Sequence, residues 1–200
     1  MTASLMRLLV ATAAVLSLAS CTVFPEQPAH QIFQLPDSTV PENTAGVVDT
    51  TLRISAPLAV TPIDSNRILV KPDAHEVRAY QGARWSNRAP VMLGSYLLES
   101  FRRDGRVATV VSDTSPARSN LTLTGDLTRF QAEYHNGTPV IQVQLNLQLI
   151  DERTRETVSN KSFEVSHAAT GPNVNTVVDA FGKASDELAR QVIDWAVEQL

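Results

Sequence analysis

The clearest pattern lies in the middle of the chain, where apolar and polar residues alternate strictly. A period of two is typical of a strand with one buried and one solvated face. Segments 121–134 and 157–167 predict strands on either side, connected by Asn136-Gly137 and by the polar turn 151–156. We therefore predict an antiparallel meander. The apolar positions of its central strand are Ile141, Val143, Leu145, Leu147 and Leu149.

Two further segments repeat their apolar residues at helical spacing. The first follows Pro90, a residue suited to the first turn of a helix, and ends before Gly105, a typical C-terminal residue. The second begins after Asn173 or Asn175, either of which can cap it, and continues to Ala196. Both segments are predicted to be amphipathic helices.

Shorter apolar runs broken by prolines complete the expected architecture. They predict strands near residues 32–35, 52–60, 67–70 and 106–111, while Trp85, with Arg84 and Arg88 beside it and Tyr80 nearby, is expected in a loop leading into the first helix. We predict an α+β fold: a mostly antiparallel sheet with two main helices packed on one face.

The first twenty residues have the features of a signal peptide. Arg7 is the only charge before Glu26, and an apolar stretch runs from Leu8 to Leu18. A membrane-spanning helix needs about 20 apolar residues, so a transmembrane anchor is the weaker interpretation.

The end of this stretch is more specific than a general secretion signal. Leu18-Ala19-Ser20-Cys21 resembles the bacterial lipobox, in which the cysteine thiol takes up diacylglycerol and an N-acyl chain follows. The alternative is a secreted protein whose cysteine stands at the cleavage site by chance. We predict a signal peptide over 1–20, a lipidated tether over 21–31, and a single α+β domain over 32–200.

Composition narrows the classes of function. The 200 residues carry a net charge of −4, which argues against a nucleic-acid-binding protein. One cysteine excludes an intramolecular disulfide and any multi-cysteine metal site. No nucleophile, phosphate-loop or zinc motif occurs, and the four histidines are far apart. We expect no enzyme activity, no metal, and no cofactor beyond the lipid on Cys21.

One region departs from the acidic average. Residues 67–106 contain eight Lys and Arg against four Asp and Glu. Tyr80, Arg84, Trp85 and Arg88 lie within it, and these residue types are enriched at interface hot spots. They form our candidate partner surface, with burial of Trp85 beneath the helix as the alternative. The Gln-rich face of the central strand is a second candidate, although a plain solvent face is the favoured interpretation.

Several of these features occur together in one known family. The chain resembles the ABC-type transport auxiliary lipoproteins, which include the paraquat-inducible outer-membrane lipoprotein. Phe33 stands where that family commonly has Tyr. The resemblance covers nearly the whole mature chain, and its motifs are the lipobox, Phe33-Gln34-Leu35-Pro36, Asp64-Ser65-Asn66-Arg67-Ile68, Tyr80 and Arg84-Trp85-Ser86-Asn87-Arg88-Ala89-Pro90.

The resemblance implies a non-catalytic docking component. Its expected partners are a periplasmic protein with a mammalian-cell-entry (MCE) domain and the associated ABC permease and ATPase, which together move lipids between the inner and outer membranes. MCE proteins are hexameric, so homo-oligomers are plausible. Thr22 after the cysteine, in place of Asp, implies outer-membrane delivery with the domain facing the periplasm. The alternative is a lipoprotein that itself binds a lipid or glycolipid, as in lipopolysaccharide assembly.

Overall fold

The computed structural model describes residues 30–44 and 46–200, and the predicted signal peptide and Cys21 lie outside these ranges. The chain forms two helices, α1 (Ala89–Asp104) and α2 (Val174–Glu198). The strands are β1 (Gln31–Phe33), β2 (Val48–Ile54), β3 (Arg67–Lys71), β4 (Arg78–Trp85), β5 (Val107–Ser112), β6 (Leu121–His135), β7 (Thr138–Asp151) and β8 (Thr157–Ala168).

The predicted meander is confirmed and forms the longest part of the sheet. Strand β7 pairs antiparallel with β6 along one edge and with β8 along the other. Asn136 and Gly137 connect β6 to β7 with φ angles of 51° and 82°, the left-handed backbone that a tight two-residue hairpin requires. The local sequence signals were sufficient here because each strand pairs with its neighbour in the chain.

The prediction of a mostly antiparallel sheet is wrong, because the eight strands form one curled, mixed sheet. The free edge of β6 takes β2 near its start and β3 near its end, both in parallel. Strand β5 then adds parallel to β2, β4 adds antiparallel to β3, and β1 adds parallel to β4. Parallel pairs join strands that are distant in the chain, so no local turn signal announces them.

Two sequence-based boundaries also need correction. Residues 78–85 form strand β4, whereas the sequence predicted a loop around Trp85. The strand was not predicted because small and charged residues interrupt the apolar alternation that is typical of a strand. Strand β2 covers Val48–Ile54 instead of 52–60. After Ile54 the chain meets two prolines and touches β6 at the single bridge between Leu58 and Asp126.

One face of the sheet is apolar, and both predicted helices cover it. The pairing register places Ile54, Leu123 and Leu149 in one row across β2, β6 and β7, and all three are buried. Helix α1 packs on β2 and β5, α2 packs on β7 and β8, and the helices contact each other. The predicted helix ends are confirmed: Asn173 accepts from the Asn175 N–H at 2.8 Å, and Gly105 ends α1 with φ of 79°.

An aromatic cluster fills the centre of this core. Phe181 of α2 contacts Trp85 of β4 edge-on, with ring centroids 5.2 Å apart, and Phe130 of β6 at 4.7 Å. Trp85 and Phe130 lie 6.0 Å apart. All three side chains are fully buried. The cluster therefore connects both sides of the curled sheet to the C-terminal helix.

We expect Phe181→Ala to lower the free energy of unfolding by roughly 3–5 kcal/mol, because it removes a buried ring and leaves a cavity between two others. Urea titration followed by the fluorescence of the two tryptophans measures the loss. Val158→Ala, at a half-exposed strand position, is the control and should change stability little. A loss below about 1 kcal/mol for Phe181→Ala would contradict the central role of the cluster.

Candidate functional site

The residues that carry the family resemblance come from three separate stretches, and the structure brings them together at the start of α1. The backbone N–H of Trp85 donates to Asn66 O at 2.8 Å, and that of Ser86 donates to Phe33 O at 2.7 Å. The Ala89 N–H donates to Ser65 O at 3.0 Å. We call this meeting point the motif junction. It positions β1, β3 and the first turn of α1 against β4.

Side chains of the motif junction reinforce its backbone contacts. Arg88 holds both carboxylate oxygens of Asp64, at 2.8 and 3.0 Å. Trp85 is only 1% exposed, so it belongs to the core and not to the partner surface for which it was a candidate. Burial was the alternative interpretation, but the ring contacts Phe181 of α2 and not the first helix beneath which it was placed. Many of the residues that carry the family resemblance therefore stabilise the fold.

The other two candidates on β4 occupy different settings. Tyr80 is half-buried, and its hydroxyl lies 3.4 Å from that of Tyr134. Burial and this hydrogen bond raise the pKa of the Tyr80 phenol. Arg84 is exposed to solvent. Trp85 thus does not share an exposed surface with Arg84 and Arg88, and Arg84 remains available to a partner.

Residues 34–44, here called the N-terminal segment, follow β1 and run across both helices. Val40 is buried, and its carbonyl accepts from Arg103 Nε at 2.8 Å. Pro36 lies so close to α2 that a Cβ on Gly182 would be 2.7 Å from the proline ring. The part of the chain nearest the predicted tether is consequently held by α1 and α2 together.

A buried carboxylate makes the strongest of these contacts. Asp186 of α2 is 8% exposed and accepts from the Thr39 N–H at 2.8 Å and from the Tyr96 hydroxyl of α1 at 2.6 Å. Ser100 of α1 donates to Ser38 at 2.9 Å and extends the network. Burial opposes ionisation of Asp186, but the hydrogen bonds from Thr39 and Tyr96 outweigh it and hold its pKa below the ordinary value. Burial and the same carboxylate raise the pKa of Tyr96.

This network predicts a pH-dependent part of the stability. Because the pKa of Asp186 is lower in the folded chain than its usual 3.8, its contribution is fully present above pH 3.8 and lost as pH falls through the folded value. We expect Asp186→Asn to cost about 2 kcal/mol at neutral pH and to remove part of the stability loss on acidification. Urea titrations between pH 7 and pH 3 test this, with the exposed Asp179→Asn as the control. Parallel pH profiles for Asp186→Asn and the unmodified chain would contradict it.

The contact between Pro36 and Gly182 gives a second prediction. Alanine in a helix normally gains about 1 kcal/mol over glycine, but the added Cβ must displace a rigid proline ring. We expect Gly182→Ala to lose roughly 1–3 kcal/mol and to expose the N-terminal segment to proteases. In Gly171→Ala the nearest atom to the new Cβ is 3.9 Å away, so this control should be neutral. Stabilisation by Gly182→Ala would show that the segment is not seated on α2.

Near the start of β6, Arg53 of β2 holds the loop formed by residues 112–120. Its guanidinium donates to the carbonyls of Ser112 at 2.7 Å, Ser115 at 3.1 Å and Ala117 at 2.5 Å. The Asn120 carbonyl accepts from the N–H of Glu152 at 2.9 Å, which ties this loop to the β7–β8 turn. Arg53 therefore holds the loop 112–120 in place, and Asn120 connects that loop to the β7–β8 turn.

These loops enclose a cleft of about 640 Å³, which we call the far-end cleft. Four arginines line it against two acids, which gives it a positive charge on a chain whose total is negative. From the sequence, 151–156 was interpreted as a solvated turn. The cleft was missed because its cations come from three distant stretches. Its charged residues are Arg53, Arg118, Arg153, Arg155, Asp151 and Glu152.

The outer face of the meander is mostly polar. Gln142 accepts from Ser166 at 2.5 Å, Asn146 accepts from Ser162 at 2.6 Å, and Arg129 pairs with Glu164 at 2.9 Å. Two of the amides considered as ligand-binding groups thus already bond to cross-strand neighbours. This favours the solvent-face interpretation of the Gln-rich strand.

A family model described as "ABC-type transport auxiliary lipoprotein component" matches residues 33–193, and the chain belongs to this family. The match spans the motif junction, the meander and most of both helices. It is not an enzyme family. Family membership makes a lipoprotein the supported class. In the part of the chain that the structure describes, no helix is long and apolar enough to cross a bilayer.

Solved structures share the fold. A DUF330-family protein from Xanthomonas campestris is 26% identical with a TM-score of 0.78, over 84% of this chain and 95% of its own. An uncharacterized protein is 12% identical with a TM-score of 0.67, over 84% and 99% of the two chains. A hypothetical protein from Chlamydia trachomatis is 7% identical with a TM-score of 0.53, over 76% and 98%. A comparison with curated proteins finds no match.

Proposed function

We propose that the protein is an outer-membrane lipoprotein that serves as the docking component of an MCE-type ABC transporter for lipids. The family match over residues 33–193 carries the proposal. Under this proposal, Cys21 bears a diacylglycerol and an N-acyl chain, and the domain extends into the periplasm to meet the MCE-domain protein. The protein performs no chemistry on the cargo.

The strand directions agree with a component held at one end. Strand β1 is parallel to β4, β4 is antiparallel to β3, and β3 is parallel to β6, so β1 runs opposite to β6. The N-terminal end of β1 therefore points toward the β6–β7 turn. With the predicted anchor at Cys21, ten residues earlier, the tether reaches at most roughly 33 Å.

The opposite end supplies a surface for the partner. Strand β6 has fifteen residues, and the pairing of β1 with β4, of β4 with β3 and of β3 with β6 places Gln31 level with about Phe130, nine residues from Leu121. Roughly 30 Å of strand therefore separates the tether exit from the far-end cleft. Arginines in a cleft suit an acidic protein segment, because a guanidinium bonds carboxylates in a bidentate manner. An adaptor anchored at one end is best placed to meet a partner with the other.

The alternative of direct lipid binding receives less support from the cavities. The far-end cleft and the 620 Å³ cleft between β8 and α2 are lined largely by charged and polar residues. A site for acyl chains is normally concave and mostly apolar. A third cleft of 330 Å³, between the N-terminal segment and α1, is small for a phospholipid.

Crosslinking in intact cells, followed by purification of the tagged protein from membranes, tests the proposal. We expect an MCE-domain protein to be recovered, and we expect recovery to weaken in Cys21→Ala, because losing the anchor lowers the effective concentration at the membrane. Recovery of the protein alone with a stoichiometric bound lipid would overturn the docking function and favour lipid binding.

The same experiment locates the docking surface. Arg118→Gln/Arg153→Gln removes two charges from the far-end cleft and should reduce recovery of the partner severalfold. Arg67→Gln/Arg84→Gln removes the same charge from the tether side and is the matched control. If only the second pair weakens recovery, the partner binds the surface containing Arg84 that the sequence suggested, and the far-end assignment is wrong.

A further inference from the structure

Three exposed side chains form one row across the strands nearest the tether. Ile32 of β1 is opposite Arg84 of β4, and Arg84 is opposite Arg67 of β3. Cross-strand partners project from the same face of a sheet, and all three residues are exposed, Ile32 by 60%. The next residues, Phe33 and Trp85, pack into the core from the other face. We call the three residues the tether-side row.

The fold does not require this row. Two arginines directly opposite each other on antiparallel strands repel each other and destabilise the pairing of those strands. Among the described residues neither guanidinium has an acidic partner or a side-chain hydrogen bond, whereas Arg88 and Arg129 nearby are paired with Asp64 and Glu164. An uncompensated like-charge pair beside an exposed isoleucine therefore points to an external anionic and partly apolar partner.

The position of the row identifies that partner. It includes β1, which begins ten residues after Cys21, so a lipid on that cysteine confines the row to within roughly 33 Å of the bilayer. At such separations a flexible linker gives an effective concentration in the millimolar range. The bilayer surface offers phosphate groups for guanidinium and an apolar boundary for isoleucine.

We propose that the tether-side row is a membrane-contact site. Arg67 and Arg84 bind lipid phosphates of the bilayer that holds the anchor, and Ile32 enters its interfacial region. The domain then lies against the membrane with this row, and the far-end cleft projects away from it. This inference rests on lipidation of Cys21 but not on the identity of the protein partner.

A fluorescent probe on the row tests the contact. The lipidated protein, its acylation verified by mass spectrometry, has no other free cysteine, so Ile32→Cys takes a single environment-sensitive label. In vesicles of phosphatidylcholine with 30% phosphatidylglycerol we expect a blue shift and quenching by brominated acyl chains. A label at Thr154→Cys in the β7–β8 turn should show neither.

Charge variants separate specific contact from simple proximity. Each arginine near an anionic surface contributes about a fivefold preference for the bound orientation, so Arg67→Gln/Arg84→Gln should reduce the ratio of bound to unbound orientations about twenty-five-fold. Arg118→Gln/Arg153→Gln, with the same change in net charge, should leave the quenching unchanged. Equal quenching in the two variants, absence of quenching, or shielding only after membrane proteins are added would each overturn the proposal. None of these results depends on recovery of the MCE-domain protein.

Discussion

Burial of Trp85 is the constraint on which the rest of the molecule depends. Its ring packs between Phe130 of β6 and Phe181 of α2, and its backbone holds Asn66. The next residue, Ser86, bonds to Phe33 of β1. Residues 85 and 86 thereby connect β1, β3 and β4 to β6 and α2, directly before α1 begins. Removal of the ring would leave Phe130 and Phe181 in contact with each other but would remove the aromatic contacts of β4 with both.

The arginines divide into two groups according to their partners, and this division separates structure from function. Arg53, Arg88 and Arg103 bind carbonyls or a carboxylate of the chain and hold loops or helix ends in place. Arg67 and Arg84 have no such partner among the described residues. Residue type alone cannot distinguish these groups, since an arginine that binds a backbone carbonyl has no sequence signature.

The sequence predicted those features that depend on neighbours in the chain. The alternation of β7, the Asn136-Gly137 turn and the caps of both helices are local, and they are confirmed. Parallel pairing of β2 and β3 with β6 depends on contacts between distant segments, so it was missed. The tether-side row and the far-end cleft were missed for the same reason, because each is assembled from three strands or loops whose register is set only by folding.

The seating of β1 and the N-terminal segment also has a mechanical consequence. A force on a lipid anchor would pull β1 along its own axis, toward the N-terminus of the chain. Its hydrogen bonds to β4 lie across that axis, so several must yield together instead of opening one at a time. Behind them, Thr39 is bonded to Asp186 and Pro36 is wedged against Gly182. Tension between the membrane and a bound partner would therefore have to break the β1–β4 hydrogen bonds and then the contacts of the N-terminal segment with α2 before it reached the meander.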